Sequence, residues 1–129
     1  MNGIPRELNW VKERAACTLA HVFSQLHHGI EEDIKSVNLI HQLPPETVFE
    51  MTFLGAGNAF VVKRRASVRP YVRFSLAQDY IETSDDTSEK SEYRITLSNE
   101  GRCKLTLHGE ELEQWQVRRM ALEKLFFAS

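Results

Sequence analysis

A stripe of apolar residues at steps of three and four runs through the first forty positions: Leu8, Val11, Ala15, Leu19, Val22, Leu26, Ile30, Ile34 and Val37. The average step is close to the 3.6 residues of an α-helical turn, so these side chains line one face of a helix. Pro5 suits the first turn, and Asn2 or Asn9 can cap nearby amides. Pro44-Pro45 stops the helix, because neither proline donates a hydrogen bond and each holds the residue before it extended. The predicted helix covers residues 6–41, and at its rise per residue it is about 50 Å long. A compact domain of this size is only about 35 Å across. The helix therefore either breaks at Gly29, where Glu31, Glu32 and Asp33 suit the start of a second helix, or overhangs and meets a second subunit. The stripe keeps its phase through Gly29, which favours the overhang.

From Thr47 the period falls to two. Phe49, Met51 and Phe53 alternate with Glu50 and Thr52, the signature of a half-buried strand. Gly55-Ala56-Gly57-Asn58 reads as a hairpin loop, and residues 60–65 as the returning strand. Further strands are expected at 71–76, at 80–83, at 93–97 and at 103–107, with a mobile polar loop over 84–91 and a turn at Asn99-Glu100-Gly101. Gly109 ends the last strand, and residues 110–127 read as a closing helix with three acids favoured in its first turn by the helix dipole. The fold class that follows is α+β, one domain over residues 1–129. It consists of a long N-terminal helix, an antiparallel meander of five to six strands over 47–108, and a C-terminal helix packed on the sheet. The expected core draws on Leu19, Val22, Leu26, Phe49, Met51, Phe53, Val72, Phe74, Ile95, Leu97, Leu105, Trp115, Leu122 and Phe126. The closing helix is apolar on two sides, Leu112, Trp115, Leu122 and Phe126 on one and Val117, Ala121 and Leu125 on the other. A helix of that kind is usually covered on both.

Composition narrows the function classes. With 42% hydrophobic and 26% charged residues the chain is an ordinary globular one. A formal charge of -2 excludes a globally basic nucleic-acid binder, while leaving room for a local basic patch. The first residues contain no apolar run of signal-peptide type, and no window approaches eighteen apolar residues, so no membrane insertion is expected. Cys17 and Cys103, the only two cysteines, read as free thiols in a reducing compartment. A cytoplasmic location is expected on those grounds.

Little in the sequence asks for chemistry. Cys17, His21, Ser24 and His28 share a helix face with Trp10 before them, but His21 and His28 are about 10.5 Å apart along the axis, too far for one ion. The i,i+4 pairs Cys17/His21, His27/Glu31 and His28/Glu32 supply two ligands each, where a structural zinc wants four, so neither a metal nor another cofactor is expected. Gly55-Ala56-Gly57 precedes a strand rather than a helix, unlike a phosphate loop. No serine or cysteine sits in a nucleophile elbow. The chain is therefore expected not to be an enzyme. It reads as an intracellular protein-interaction domain that forms a homodimer through its long helix and its C-terminal helix, with Trp10, Val117, Leu125 and Phe127 at the interface. A docking site for another protein is the variant of this reading.

The alternative is an anion site for phosphate or a lipid headgroup on the open face of the sheet. Residues 45–78 carry five cations against two carboxylates, and Lys63, Arg65, Arg73, Arg94 and Lys104 alternate outward. Only Tyr71 interleaves them as an aromatic, so nucleic acid is not the expected partner. Residues 92–127, EYRITLSNEGRCKLTLHGEELEQWQ and onward, resemble the tail of a pleckstrin-homology domain. That resemblance implies two strands before a closing helix with acids at its start and with Trp115 packed into the sheet. The long N-terminal helix departs from that family, and the expected strand count is one short.

Overall fold

The computed structural model describes residues 7–128. Helix α1 spans Trp10–Ala16 and α2 spans Leu19–His41, followed by a 3-10 turn at Pro45–Thr47. Strands β1 (Phe49–Leu54), β2 (Ala59–Arg64), β3 (Tyr71–Leu76), β4 (Ile81–Asp85), β5 (Lys90–Leu97), β6 (Cys103–Leu107) and β7 (Glu110–Leu112) come next, and α3 (Gln114–Phe127) closes the chain. The architecture is α+β, as the periodicities require.

The N-terminal helix is not continuous, and it does not break at Gly29. Asn9 caps α1 by accepting a hydrogen bond from the Lys12 amide at 3.1 Å. After two turns of α1 the chain turns extended at Thr18, and its hydroxyl accepts from the His21 amide at 3.2 Å to start a new helix. The 23 residues of α2 are about 34 Å long, which matches the width of the domain. Nothing overhangs. Gly29 stays helical because a side chain from α3 uses its empty position. A Cβ there would lie 2.6 Å from Nη1 of Arg118, whose Nε donates to Asp33 at 2.7 Å. At its far end α2 stops on Gln42, left-handed at φ 49°, whose amide donates back to the Asn38 and Leu39 carbonyls. The Asn38 side chain then clamps the start of β1, donating to the Phe49 carbonyl at 3.0 Å and accepting from its amide at 2.9 Å.

All seven strands form one antiparallel sheet in sequence order, not the five to six expected. Strand β5 joins its two parts: residues 90–93 pair with β4, and residues 94–97 pair with β6. The extra strand is β7, joined to β6 by a two-residue turn in which Leu107 faces Glu110. His108 and Gly109 both have positive φ, 53° and 82°, the backbone of a type I′ hairpin. Glu110 and Glu111 thus belong to a strand, and α3 starts four residues later than residue 110. Glu113 caps it, accepting from the Gln116 amide while its own amide donates to the Gln116 side chain at 2.8 Å. The polar stretch 84–91 is also more ordered than expected. Asp85 accepts from the Thr87 amide at 2.9 Å, the Thr87 hydroxyl at 2.6 Å and the Glu89 amide at 3.1 Å. The Thr87 hydroxyl, ahead of the backbone amides, holds the Asp85 carboxyl below its ordinary pKa.

The core lies between one face of the sheet and the two long helices. Phe49, Phe60, Val62, Phe74, Ile81, Tyr93 and Leu105 meet Val22, Phe23, Leu26 and Ile30 of α2 and Val117, Leu122, Leu125 and Phe126 of α3. Phe60 stacks on Phe74 with centroids 5.1 Å apart, and Phe49 meets Phe126 at 4.8 Å. Phe53, Leu97 and Trp115, expected in this core, are exposed. Phe53 and Leu97 sit at strand ends beside hairpin turns, and Trp115 is the second residue of α3, ahead of the turns that pack. The tryptophan of the pleckstrin-homology resemblance is therefore not in the sheet.

The thiols are not free. Cys17, at the helix break, is bonded to Cys103 at the start of β6, with 5.4 Å between their Cα atoms. Glu13 supports the same junction by accepting from the Cys103 amide at 3.3 Å. Through the disulfide Cys17 leaves the line of potential ligands on the helix. Among the described residues no helix is long and apolar enough to cross a membrane.

Candidate interaction face

Strand register and the phase of α3 determine which surfaces are left over once the core is filled. Val117 and Leu125 point at the sheet and are buried in the core cluster, so this fold covers them with its own chain. Turning by roughly 100° per residue around α3 brings Trp115, Arg119, Leu122 and Phe126 to the side that faces α2. There the C-terminal half of α2 and the whole of α3 leave a groove of about 380 Å³. Its floor is Val37, Leu122 and Phe126, all buried, and its walls are Ile40, Trp115 and Phe127, which are 74%, 53% and 62% exposed. Phe127 is held edge-on by His41 at 5.4 Å. Met120, also exposed, lies beside Trp115, Arg119 and Glu123 and extends the apolar surface along α3.

The charges in this groove balance. Arg118 pairs with Asp33 at 2.7 Å, and Arg119 pairs with Glu123 along α3 at 3.3 Å. The lining as a whole carries two carboxylates and two guanidinium groups. Of the residues expected at an interface, Phe127 is here. Trp10 is exposed but lies on α1, outside the groove lining. Ile40 and Trp115 lie outside the expected interface: the helical stripe ends at Val37 and hides Ile40, and the spacing of Trp115 matches the core positions Leu122 and Phe126.

The basic residues are placed outward by strand alternation, on the face opposite the core. They do not form one patch. Glu50 lies 3.8 Å from Lys63 and 3.1 Å from Arg65, Glu92 lies 3.8 Å from Arg94, and Glu113 pairs with Lys104. Arg73 donates to the Ser75 hydroxyl at 3.2 Å. Glu82 stands in the middle of the same face, opposite Ser75 and Glu92. One hollow of about 450 Å³ opens where β5 passes between its partners, lined by Lys90, Glu92, Arg94, Thr106 and His108 among others.

A third grouping lies on α2. His27, His28 and Glu31 bring one donor atom each to within 4.8 Å of one another. Treating the i,i+4 pairs one at a time conceals it, because Glu31 serves His27 across four residues and His28 across three. The Gly55–Asn58 stretch is the expected hairpin loop, closed by the Gly57 amide donating to the Leu54 carbonyl at 3.2 Å. Comparison of the chain with protein-family models, with curated proteins and with solved structures finds no match in any of the three.

Proposed function

We propose that this protein is a non-catalytic interaction domain that pairs with a second copy of itself across the α2–α3 face. The observation that carries the reading is the exposure of Ile40, Trp115 and Phe127 around a groove with an apolar floor. Large apolar side chains clustered on one face mark contact surfaces more often than scattered ones do. Burying each of them is worth about 1.5–3 kcal/mol. A second copy fits because the groove is electrically self-balanced. A two-fold axis passing between Arg119 and Glu123 would set each of these charges against its opposite in the other protomer, with no excess of like charge to oppose contact. In this reading the domain is a scaffold and needs neither cofactor nor membrane.

The test is sedimentation equilibrium on the full chain and on the variants Ile40→Glu and Phe127→Glu. Both residues are exposed, so the variants keep the fold while placing a carboxylate against apolar surface. The expected result is a dimer that each variant dissociates. A wild-type monomer at tens of micromolar overturns the reading.

The hollow at β5 favours a second reading. Lys90, Arg94 and His108 line it together with Glu92, and an anion module for phosphate or a lipid headgroup would be centred on Arg94 rather than spread over Lys63, Arg65, Arg73 and Lys104. Arg94→Glu then abolishes binding to phosphatidylinositol-phosphate vesicles at low salt, and absence of any binding by the wild type removes this reading. The cytoplasmic location expected from free thiols loses that support, since the Cys17–Cys103 bond fits an oxidising compartment better.

A further inference from the structure

We propose that His27, His28 and Glu31 form a three-ligand site for a zinc ion on the exposed side of α2. Nε2 of His27 is 3.7 Å from Oε2 of Glu31, and Nδ1 of His28 is 3.3 Å from Oε1 of the same carboxylate. A tetrahedral zinc with bonds near 2.0–2.1 Å holds its ligand atoms roughly 3.4 Å apart. Each oxygen of the carboxylate is therefore near ligand spacing from one of the imidazoles. No two donors exceed 4.8 Å, so closing the site takes at most about 1.4 Å of side-chain movement.

The surroundings hold one of these groups in place. The site is flanked on the helix by Leu26 and Ile30, both fully buried, which fix the backbone that carries all three ligands. The His27 side chain is only 17% exposed. Its ring lies against Phe53 at 4.7 Å and Phe60 at 5.8 Å. An imidazole packed between aromatic rings has lost most of its rotamer freedom before any ion arrives, so less entropy is lost on binding. His28 and Glu31 stay exposed and supply the movement. Two imidazoles and one carboxylate suit zinc over calcium or magnesium, which want all-oxygen shells. Three protein ligands leave a fourth position open to solvent or to a group from outside. The site lies toward the β1–β2 hairpin and shares no residue with the groove lining, so it does not depend on the proposed pairing.

The alternative is that Glu31 only pairs with the two imidazoles and holds no ion. To separate the two, cobalt(II) is titrated into the full-length, disulfide-intact, untagged protein and followed by its visible absorption. Zinc chloride is then added as competitor. The site predicts one equivalent of cobalt per chain, displaced by one equivalent of zinc. It also predicts that His28→Ala and Glu31→Gln each lose more affinity than the about tenfold to hundredfold that changes to outer-shell partners cost. Both positions are exposed, and circular dichroism verifies that the variants fold. His21→Ala, an exposed histidine on the same helix, is expected to leave the affinity unchanged. No saturable binding, or binding that survives His28→Ala and Glu31→Gln, overturns the proposal.

Discussion

Gly29→Ala is the perturbation most exposed to failure, because helix propensity and packing pull it in opposite directions. In a helix interior alanine is favoured over glycine by about 1 kcal/mol, and Gly29 lies in the middle of α2 with ordinary helical neighbours. On propensity alone the substitution stabilises. The structure says otherwise, since the new methyl carbon would lie 2.6 Å from Arg118 Nη1 and 2.8 Å from its Cζ. The guanidinium must move, and it is the group that donates to Asp33 at 2.7 Å. A charge-assisted hydrogen bond is worth about 1.5–3 kcal/mol. The two side chains retain 20% and 34% of their exposure, which places this one near the lower end, at about 1.5 kcal/mol. The expected balance is a net destabilisation of about 0.5 kcal/mol in the wild-type background. In an Arg118→Ala background the obstacle is gone, and the same substitution should stabilise by about 1 kcal/mol. A double-mutant cycle in urea therefore yields a coupling of about 1.5 kcal/mol between positions 29 and 118. If Gly29→Ala stabilises both backgrounds equally, Arg118 does not need the glycine, and the reasoning fails.

Three further outcomes follow from the contacts. Asn38→Ala leaves the Phe49 amide and carbonyl without partners at a half-buried position, and urea unfolding should show a loss of about 2–3 kcal/mol. Asp85, held below its ordinary pKa by Thr87, contributes stability that is fully present above the unfolded carboxyl value near pH 4 and is lost as pH falls through its lower folded value. Thermal unfolding of Asp85→Asn should accordingly show a flatter acid limb than the wild type. The Cys17–Cys103 bond closes a loop spanning 86 positions, so Cys17→Ser with Cys103→Ser should cost about 2–4 kcal/mol, less than the roughly 4.6 kcal/mol upper figure from chain entropy. A smaller loss than 1 kcal/mol would mean that α1 is not held through that bond.

The parts of the fold legible in the sequence are those where one periodicity faces one core. Strands β3 and β6 match their expected limits, since Val72, Phe74 and Leu76, and Cys103, Leu105 and Leu107, alternate without interruption. Strand β7 escaped because its turn is His108-Gly109, and a histidine with positive φ gives no hairpin signal of the Asn-Gly kind. The helix break escaped for a different reason. Thr18 is an adequate N-cap only when the chain turns there, and what turns it is the Cys17 link to a strand 86 positions away. No local pattern contains that. Gly29, the conspicuous local breaker, instead serves a tertiary contact with Arg118.

The candidate face was legible in part. Phe127 and the two-sided character of α3 point to it, but wheel arithmetic does not say which side the sheet covers. Val117 and Leu125 went inside and Trp115 outside because the Glu113–Gln116 capping box fixes where α3 begins. The outward arginines were placed on the correct face by alternation. Glu50, the partner of Lys63 and Arg65, comes from the neighbouring strand and Glu113, the partner of Lys104, from the start of α3, and only the register shows them, whereas Glu92 lies two residues from Arg94 on β5 itself.

Self-association through α2 and α3 is tested most directly by native mass spectrometry of the gently purified chain beside Phe127→Glu. A wild-type mass near twice 14.9 kDa together with a monomeric variant is the expected result. A wild type that stays monomeric, or a dimer indifferent to Phe127→Glu, contradicts the account.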